Sequence, residues 1–361
     1  MPTVAEFLDA LSRLVPGDKA AEWDRQGLEV GDGKAPLHRV GVCHDVTQAV
    51  VEEALSHQLD LLITYHPLLF RPLQRLTLTG GPESRAYQLA RGGVAVAAVH
   101  TAWDVAPGGA ADSLAAALGL SEVRGFGLMS GEPQVKVVTF VPGDYVDSVA
   151  AAMAAAGAGR IGNYTGCSFR TTGTGTFFPG QGARPVAGTS GQLNFEKEVR
   201  LEMVAPKRLE DRVVAALVTA HPYDEAAFDL VVVRSNAGLV GRLGRLPIPH
   251  KMASLADLVT ASLGTPARLS RDDEQPIETL AVLPGSGGSF LAEAAASGAD
   301  AFVTGDLSHH QFLIAADRGL KLVDPGHAAT EAPGLARLRQ VVAGLGVDTV
   351  DLTSDVAPWT T

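Results

Sequence analysis

From residue 38 onward the chain alternates short apolar runs with segments of helical spacing. "RVGVC" (39–43), "LDLLIT" (59–64) and "GVAVAAV" (93–99) are apolar runs of strand length. Between them "DVTQAVVEEALSHQ" (45–58) has the 3.6-residue period, and Asp45 with Gln48 resembles a capping box. A second helix is expected around 84–91, and a third over "GGAADSLAAALGL" (108–120). The same grammar returns near the C-terminus. "TLAVL" (279–283), "DAFVT" (300–304) and "LKLVD" (320–324) read as strands, with helices to about 297, over 308–318 and from about 328. Strands that are apolar throughout and alternate with helices predict α/β structure in two halves, with mostly parallel sheets covered on both faces.

The middle of the chain follows another order. "VKVVTFV" (135–141) is a strand and "DYVDSVAAAMAAAG" (144–157) a helix. Two strands are expected around 164–178 and 197–205, then the helix "KRLEDRVVAALVTAH" (207–221) and the strand "AAFDLVVV" (226–233). That is the β-α-β-β-α-β order of a ferredoxin-like α+β domain. Glycine and proline cluster at "GLMSGEP" (127–133) and "NAGLVGRLGRLPIP" (236–249). The expected organisation is a domain of residues 130–235 inserted into a discontinuous α/β domain built from 1–129 and 236–361.

A chain of 361 residues, 46% hydrophobic and 19% charged, has material for two sizeable cores. No apolar run approaches the roughly 18 residues of a membrane span. "MPTVAEFLDALSRL" reads as an amphipathic helix rather than a basic-then-apolar leader. Cys43 and Cys167 form no disulfide framework or zinc-knuckle spacing, so a cytoplasmic location is expected. The net charge of −11 argues against non-specific nucleic-acid binding.

Candidate chemistry gathers just past strand ends, where open α/β sheets form their sites. His66 follows the strand at 59–64, His100 and Asp104 follow the strand at 93–99, and His327 and Glu331 follow the strand at 320–324. A helix beginning at 327 would set His327 and Glu331 on one face. Each has an ordinary alternative: a hydrogen-bonded loop histidine, a turn aspartate, a helix-face pair. Their recurrence at three strand ends sets against these alternatives, on equal footing, imidazole and carboxylate ligation of a borderline divalent cation such as Zn, Mn, Fe or Co. The turn "PGSGGSF" either cradles a phosphate or is simply tight. "HPYDEAAF" (221–228) offers a second polar cluster, for which a structural role is favoured, and Cys167 reads as a small packed residue rather than a nucleophile.

"TYHPLLF", "HTAWDVAPGGAADSLA", "GADAFVTGDLSHH" and "VDPGHAATE" together resemble the type 2 GTP cyclohydrolase I homologues, a family with a dinuclear metal centre and hexameric assembly. "AEWDRQGLEVGD" and "DVTQAVVEEA" also fit. "YTGCSFRTTGTGTFFP", "EVRLE" and "HPYDEAAFDL" resemble the PII-like insert of its longer members. The resemblance implies His66, Asp104, His327 and Glu331 as metal ligands, two metal ions per chain and a homohexamer. Tyr65 stands where the family has the first of two consecutive histidines, leaving one metal short of an imidazole unless Tyr65 ligates or His44 compensates. His100, His309 and His310 are candidates for support or for proton transfer, with His100 and His310 the catalytic candidates. Two functions are expected to compete. One is a metal-dependent hydrolase acting on a nucleotide or phosphoester. The other is a non-enzymatic metal-binding or regulatory protein with a degraded dinuclear site.

Overall fold

The computed structural model describes residues 1–129, 134–161, 164–180, 182–183, 186, 188–233, 238–270 and 274–355. The chain divides into two compact units, Met1–Ser130 with Ala237–Thr361, and Gly131–Asn236.

The first unit contains two sheets. One runs in the order Gly27–Val30, Ala95–Ala98, Leu61–Thr64, Arg39–Cys43, Asp348–Val350. Its last three pairings are parallel and only the Gly27–Val30 edge is antiparallel. Leu61–Thr64 and Ala95–Ala98 are buried at every position, which is why neither shows a polar face in the sequence. Helices cover both sides. Phe7, Leu11, Leu335 and Leu338 pack on one, and Val50, Ala54 and Leu89 on the other. Each large side chain removed from water there contributes roughly 1.5–3 kcal/mol. The strand Asp348–Val350 returns the C-terminal segment to this N-terminal sheet.

The other sheet departs from the expected parallel pattern. Its order is Arg268–Leu269, Lys321–Asp324, Ala301–Gly305, Ile277–Ser286, Leu239–His250, Ser121–Leu128. Only the two pairings of Ala301–Gly305 are parallel, and the outer three are antiparallel. Two of these three come from the pair of segments flanking the insertion. Ser121–Leu128 and Leu239–His250 pair with each other, and most of the glycine- and proline-rich stretch at 236–249 is strand rather than loop. Its glycines mark close approach: a Cβ on Gly241 would collide with the Phe126 ring.

In the second unit the strand order is Phe169–Phe177, Asn194–Pro206, Gln134–Pro142, Phe228–Val233, all antiparallel. Helices Val146–Ala155 and Glu210–Ala220 lie on one face over Val137, Leu201 and Met203, with Met153, Val213 and Leu217 filling the layer between. The chain order is thus β-α-β-β-α-β. Among the described residues, no helix is long and apolar enough to cross a membrane.

Candidate metal centre

Four chain segments leave the carboxyl ends of parallel strands of the first unit and meet. Arg39–Cys43 delivers His44 and Asp45, Leu61–Thr64 delivers Tyr65 and His66, and Ala95–Ala98 leads into the helix His100–Val105 that carries Asp104. Lys321–Asp324 leads into the helix His327–Ala343, whose first turn carries His327 and Glu331. Main-chain bonding continues beyond the strand ends, from Tyr65 N to Cys43 O (2.9 Å), His66 N to His44 O (3.0 Å) and His100 N to Tyr65 O (2.9 Å). The side chains therefore stand on rigid backbone. His100 itself holds a positive φ of 31°, an uncommon geometry for a residue with a Cβ.

Glu331 is the focus. Its carboxylate lies 2.6 Å from His44 Nε2, 3.5 Å from His66 Nε2 and 3.1 Å from His327 Nε2. On each ring the other nitrogen meets an aspartate. His44 Nδ1 lies 3.1 Å from Asp45 Oδ2, His66 Nδ1 is 3.1 Å from Asp45 Oδ1, and His327 Nδ1 is 2.7 Å from Asp306 Oδ2. Three imidazoles thus turn Nε2 inward and have Nδ1 fixed by a carboxylate, the outer-shell arrangement that sets tautomer and ring orientation at metal sites. His44, His66 and Glu331 each offer a ligand atom within 4.8 Å of the others. His66 Nε2 and His327 Nε2 are 3.4 Å apart.

The electrostatics follow. Burial disfavours charge on His44, His66 and His327, but Glu331 together with Asp45 or Asp306 raises each to about 9. Glu331 is almost wholly buried, yet the three imidazoles hold it well below the usual carboxylate range. Asp45 is depressed in the same way: burial opposes ionisation, and His44 and His66 overcome it. The carboxylates around the three rings thus favour their protonated forms over the neutral ones.

Tyr65 and Asp104 form a separate pair beside the cluster. The Tyr65 hydroxyl donates to Asp104 Oδ1 in a short hydrogen bond. Burial and the Asp104 and Glu331 carboxylates push the phenol far above its usual range, so it stays protonated and donates. Desolvation and the Glu331 charge raise Asp104 to about 7. His100 sits with its ring 5.4 Å from that of His66, and its Nδ1 donates to Asp24 Oδ1 at 2.8 Å. Asp24 is fixed in turn by Thr101 N (3.1 Å) and Thr101 Oγ1 (2.5 Å). His309 and His310 stand elsewhere. Both are exposed on the first turn of the helix His309–Asp317, with their rings 5.8 Å apart. No contact between His310 and the cluster is present among the described residues.

The glycine-rich turn borders the cluster. Gly285 has φ +67°, and a Cβ there would lie 2.6 Å from Glu331 Oε1. The amides of Gly285 and Gly287 donate to Thr330 Oγ1 (2.9 Å) and Thr304 Oγ1 (2.8 Å), so neither is open to a phosphate. Gly285→Ala is expected to cost about 1–2 kcal/mol from the left-handed backbone alone, and to displace Glu331. Thermal unfolding and cation titration of the variant check both effects.

The chain matches the family described as Duf34/NIF3 (NGG1p interacting factor 3) over residues 2–356. It belongs to the Duf34/NIF3 family. A relative from Bacillus subtilis (strain 168), named GTP cyclohydrolase 1 type 2 homolog, is 38% identical over 90% of this chain and 88% of its own. A relative of the same name from Mycobacterium tuberculosis is 35% identical over 99% and 96%. Among solved structures, a Bacillus cereus protein related to NIF3 aligns over 100% of this chain and 99% of its own, with a TM-score of 0.66 and 33% identity. Staphylococcus aureus protein SA1388, at 24% identity and a TM-score of 0.71, shares the fold.

On this Duf34/NIF3 framework, several site residues escape a reading that looks for histidines. Asp45 does not cap a helix: the cap is Thr47, whose side chain accepts from Val50 N at 3.2 Å, and the helix begins at Gln48. Asp24, Asp306 and Asp355 each fix a histidine, the last by accepting from His44 N at 2.9 and 3.0 Å while Arg339 Nη2 donates to it at 2.7 Å. Asp45 and Asp306 lie just past strand ends, so the criterion that found the histidines also reaches them. Cys43 is buried and Cys167 partly so, and both are free thiols.

Proposed function

We propose that this Duf34/NIF3 chain holds a divalent cation on His44, His66 and Glu331, with His327 beside them, and acts as a metal-dependent hydrolase on a nucleotide or phosphoester. One observation carries the reading: three Nε2 atoms face one buried carboxylate while their Nδ1 atoms are tied to aspartates. The donor set, imidazole nitrogen with one carboxylate, suits Zn, Mn, Fe or Co. Such a cation supplies a Lewis-acidic centre that brings the pKa of water toward neutrality. The chain's own residues supply the rest. His100, with Nδ1 held by Asp24, is left to take or give a proton at Nε2. Trp23 and Phe70 lie against the His100 ring, at 5.8 and 6.5 Å between centroids. The relatives' shared name supports a nucleotide substrate, and GTP ring opening and phosphoester cleavage both begin with attack by water.

We propose one cation here rather than two: His44 completes a single three-ligand set with His66 and Glu331, while Tyr65 keeps its proton and donates to Asp104, so the second metal of the family pattern lacks its imidazole. That same pair favours the second reading, a metal-binding or regulatory protein without turnover. The strand order of the insertion supports a PII-like domain controlling access or sensing a small molecule, and assembly as a cytoplasmic homohexamer accords with the family resemblance.

The test is elemental analysis of protein reconstituted with Zn, Mn, Fe or Co, followed by assays on GTP and phosphodiesters. One cation per chain with turnover supports the hydrolase. One cation with no turnover on any substrate moves the assignment to the second reading, and no retained cation sinks both. In an active preparation Asp24→Asn is expected to lower kcat by about 100-fold with cation content unchanged. Parallel loss of metal would show that Asp24 acts on the fold rather than on His100.

A further inference from the structure

The second unit has its own cavity, of about 650 Å³, on the sheet face away from its helices. That size is ordinary for a small-molecule site. Strand register shows how it is built. Phe140, Arg200 and Thr171 are paired neighbours across three strands and so share a face, and Gly173 opposite Glu198 forms the next row. A Cβ on Gly173 would meet nothing within 4 Å, so the backbone there is a bare floor beneath open space. At Gly175 a Cβ would collide with the Glu198 carboxylate, so glycine is what lets that carboxylate lie over the strand.

The polar groups are positioned, not loose. His221, buried, accepts from Tyr223 N at Nδ1 (3.1 Å) and donates from Nε2 to Phe140 O (3.0 Å), which pins the "HPYDE" turn to the sheet. The Tyr223 hydroxyl then donates to Glu198 Oε1 at 2.9 Å. Arg200 lies with its guanidinium carbon 5.7 Å from the Phe140 ring centre, and its Nε donates to Glu202 Oε1 at 2.7 Å. Glu198 and Arg200 are two residues apart on one strand, which sets their backbones about 7 Å apart on the same face. A fixed carboxylate and a fixed guanidinium therefore stand side by side, walled by Phe140, Phe177 and Tyr223.

We infer that this cavity binds a free amino acid with a bulky apolar side chain. Its ammonium goes to Glu198, its carboxylate to Arg200 and its side chain to the aromatic walls. The charge balance separates this ligand from the nucleotide of the other unit. Glu198, Asp224 and Glu225 against Arg200 leave the described lining net negative, which opposes a phosphate chain. None of these observations involves a residue of the metal centre, so either assignment can fail without the other.

The experiment is calorimetric titration of the full chain with the standard L-amino acids, and with phenethylamine, N-acetyl-L-phenylalanine and GTP. A bulky apolar L-amino acid is expected to bind at micromolar to millimolar concentration. Removing either charge, as in phenethylamine or the N-acetyl acid, is expected to weaken binding about tenfold or more. Glu198→Gln, which keeps an acceptor for Tyr223, is expected to do the same. Gly173→Val fills the open floor and is expected to abolish the heat while leaving the melting temperature and cation content unchanged. The inference is overturned if no amino acid binds, if GTP binds and is displaced by Gly173→Val, or if that substitution instead changes the oligomeric mass, which would make a second copy the occupant.

Discussion

Alanine in place of His44 is expected to weaken divalent-cation binding by more than the roughly 10–100-fold that follows loss of an outer-shell partner. On the proposed reading, His44 is a ligand that the family resemblance does not supply. Its Nε2 is the nearest of the three to Glu331, at 2.6 Å. Its orientation is fixed from three sides, by Asp45 on the ring, by Asp355 on the backbone N–H and by the edge of the Tyr65 ring, 5.4 Å between centroids. The truncation would leave two imidazoles and Glu331, with open volume where the third ring stood. Tyr65→Phe is the matched control. It keeps the packing of a fully buried ring and removes only the hydroxyl that Asp104 accepts. Cation affinity is expected to change little in Tyr65→Phe, whereas Tyr65→His is expected to raise the retained metal from one to two per chain. Calorimetric titration and elemental analysis of the three variants read this directly. Equal affinity in wild type and His44→Ala would remove His44 from the ligand set.

The strands of the first unit were legible because full burial leaves no polar face: "LLIT" and "AVAA" read as apolar without alternation, and they are buried at every residue. The pairing of Ser121–Leu128 with Leu239–His250 was not legible. Glycine spaced through 238–244 looks like a loop when the close neighbour that requires it, Phe126, is more than a hundred residues away. The site divides along the same line. His327 and Glu331 are a local pair at helical spacing, and the helix does begin at His327. His44 and Glu331 are 287 residues apart, and no local pattern announces their contact. Asp45 matched a helix cap by its spacing to Gln48, but it turns instead toward two histidines. His310, in sequence as plausible as His100, is exposed on the first turn of the helix His309–Asp317.

Stability of the metal-free protein is expected to fall as pH rises from about 6 to about 9.5, and cation loading is expected to flatten that fall. His44, His66 and His327 are raised from an ordinary value of 6.5 to about 9 in the folded protein. A raised imidazole stabilises the fold fully below its unfolded pKa, and the contribution is lost as pH climbs through the folded one. Asp104, raised to about 7, acts in the same direction at lower pH, since its neutral form is favoured only in the folded state. Glu331 and Asp45 run the other way. Their depressed values stabilise the fold above the usual carboxylate range and are lost only in acid. The metal-free protein should therefore be most stable in mildly acidic solution. The three rings share Glu331, and two share Asp45, so their contributions are coupled and do not add. Breaking such a buried ionic cluster by removing one partner typically costs about 3–5 kcal/mol, and Glu331→Gln is expected to show that loss at pH 6 together with a flatter pH profile. A divalent cation displaces the protons, so binding at pH 7.5 is expected to release more than one proton per cation and to tighten as pH rises toward 9. Melting curves across this range, with and without cation, and calorimetry in buffers of different ionisation enthalpy measure the two halves of the linkage. A pH-independent melting temperature in the metal-free protein, or cation binding without proton release, would mean that the imidazoles are neutral before the metal arrives.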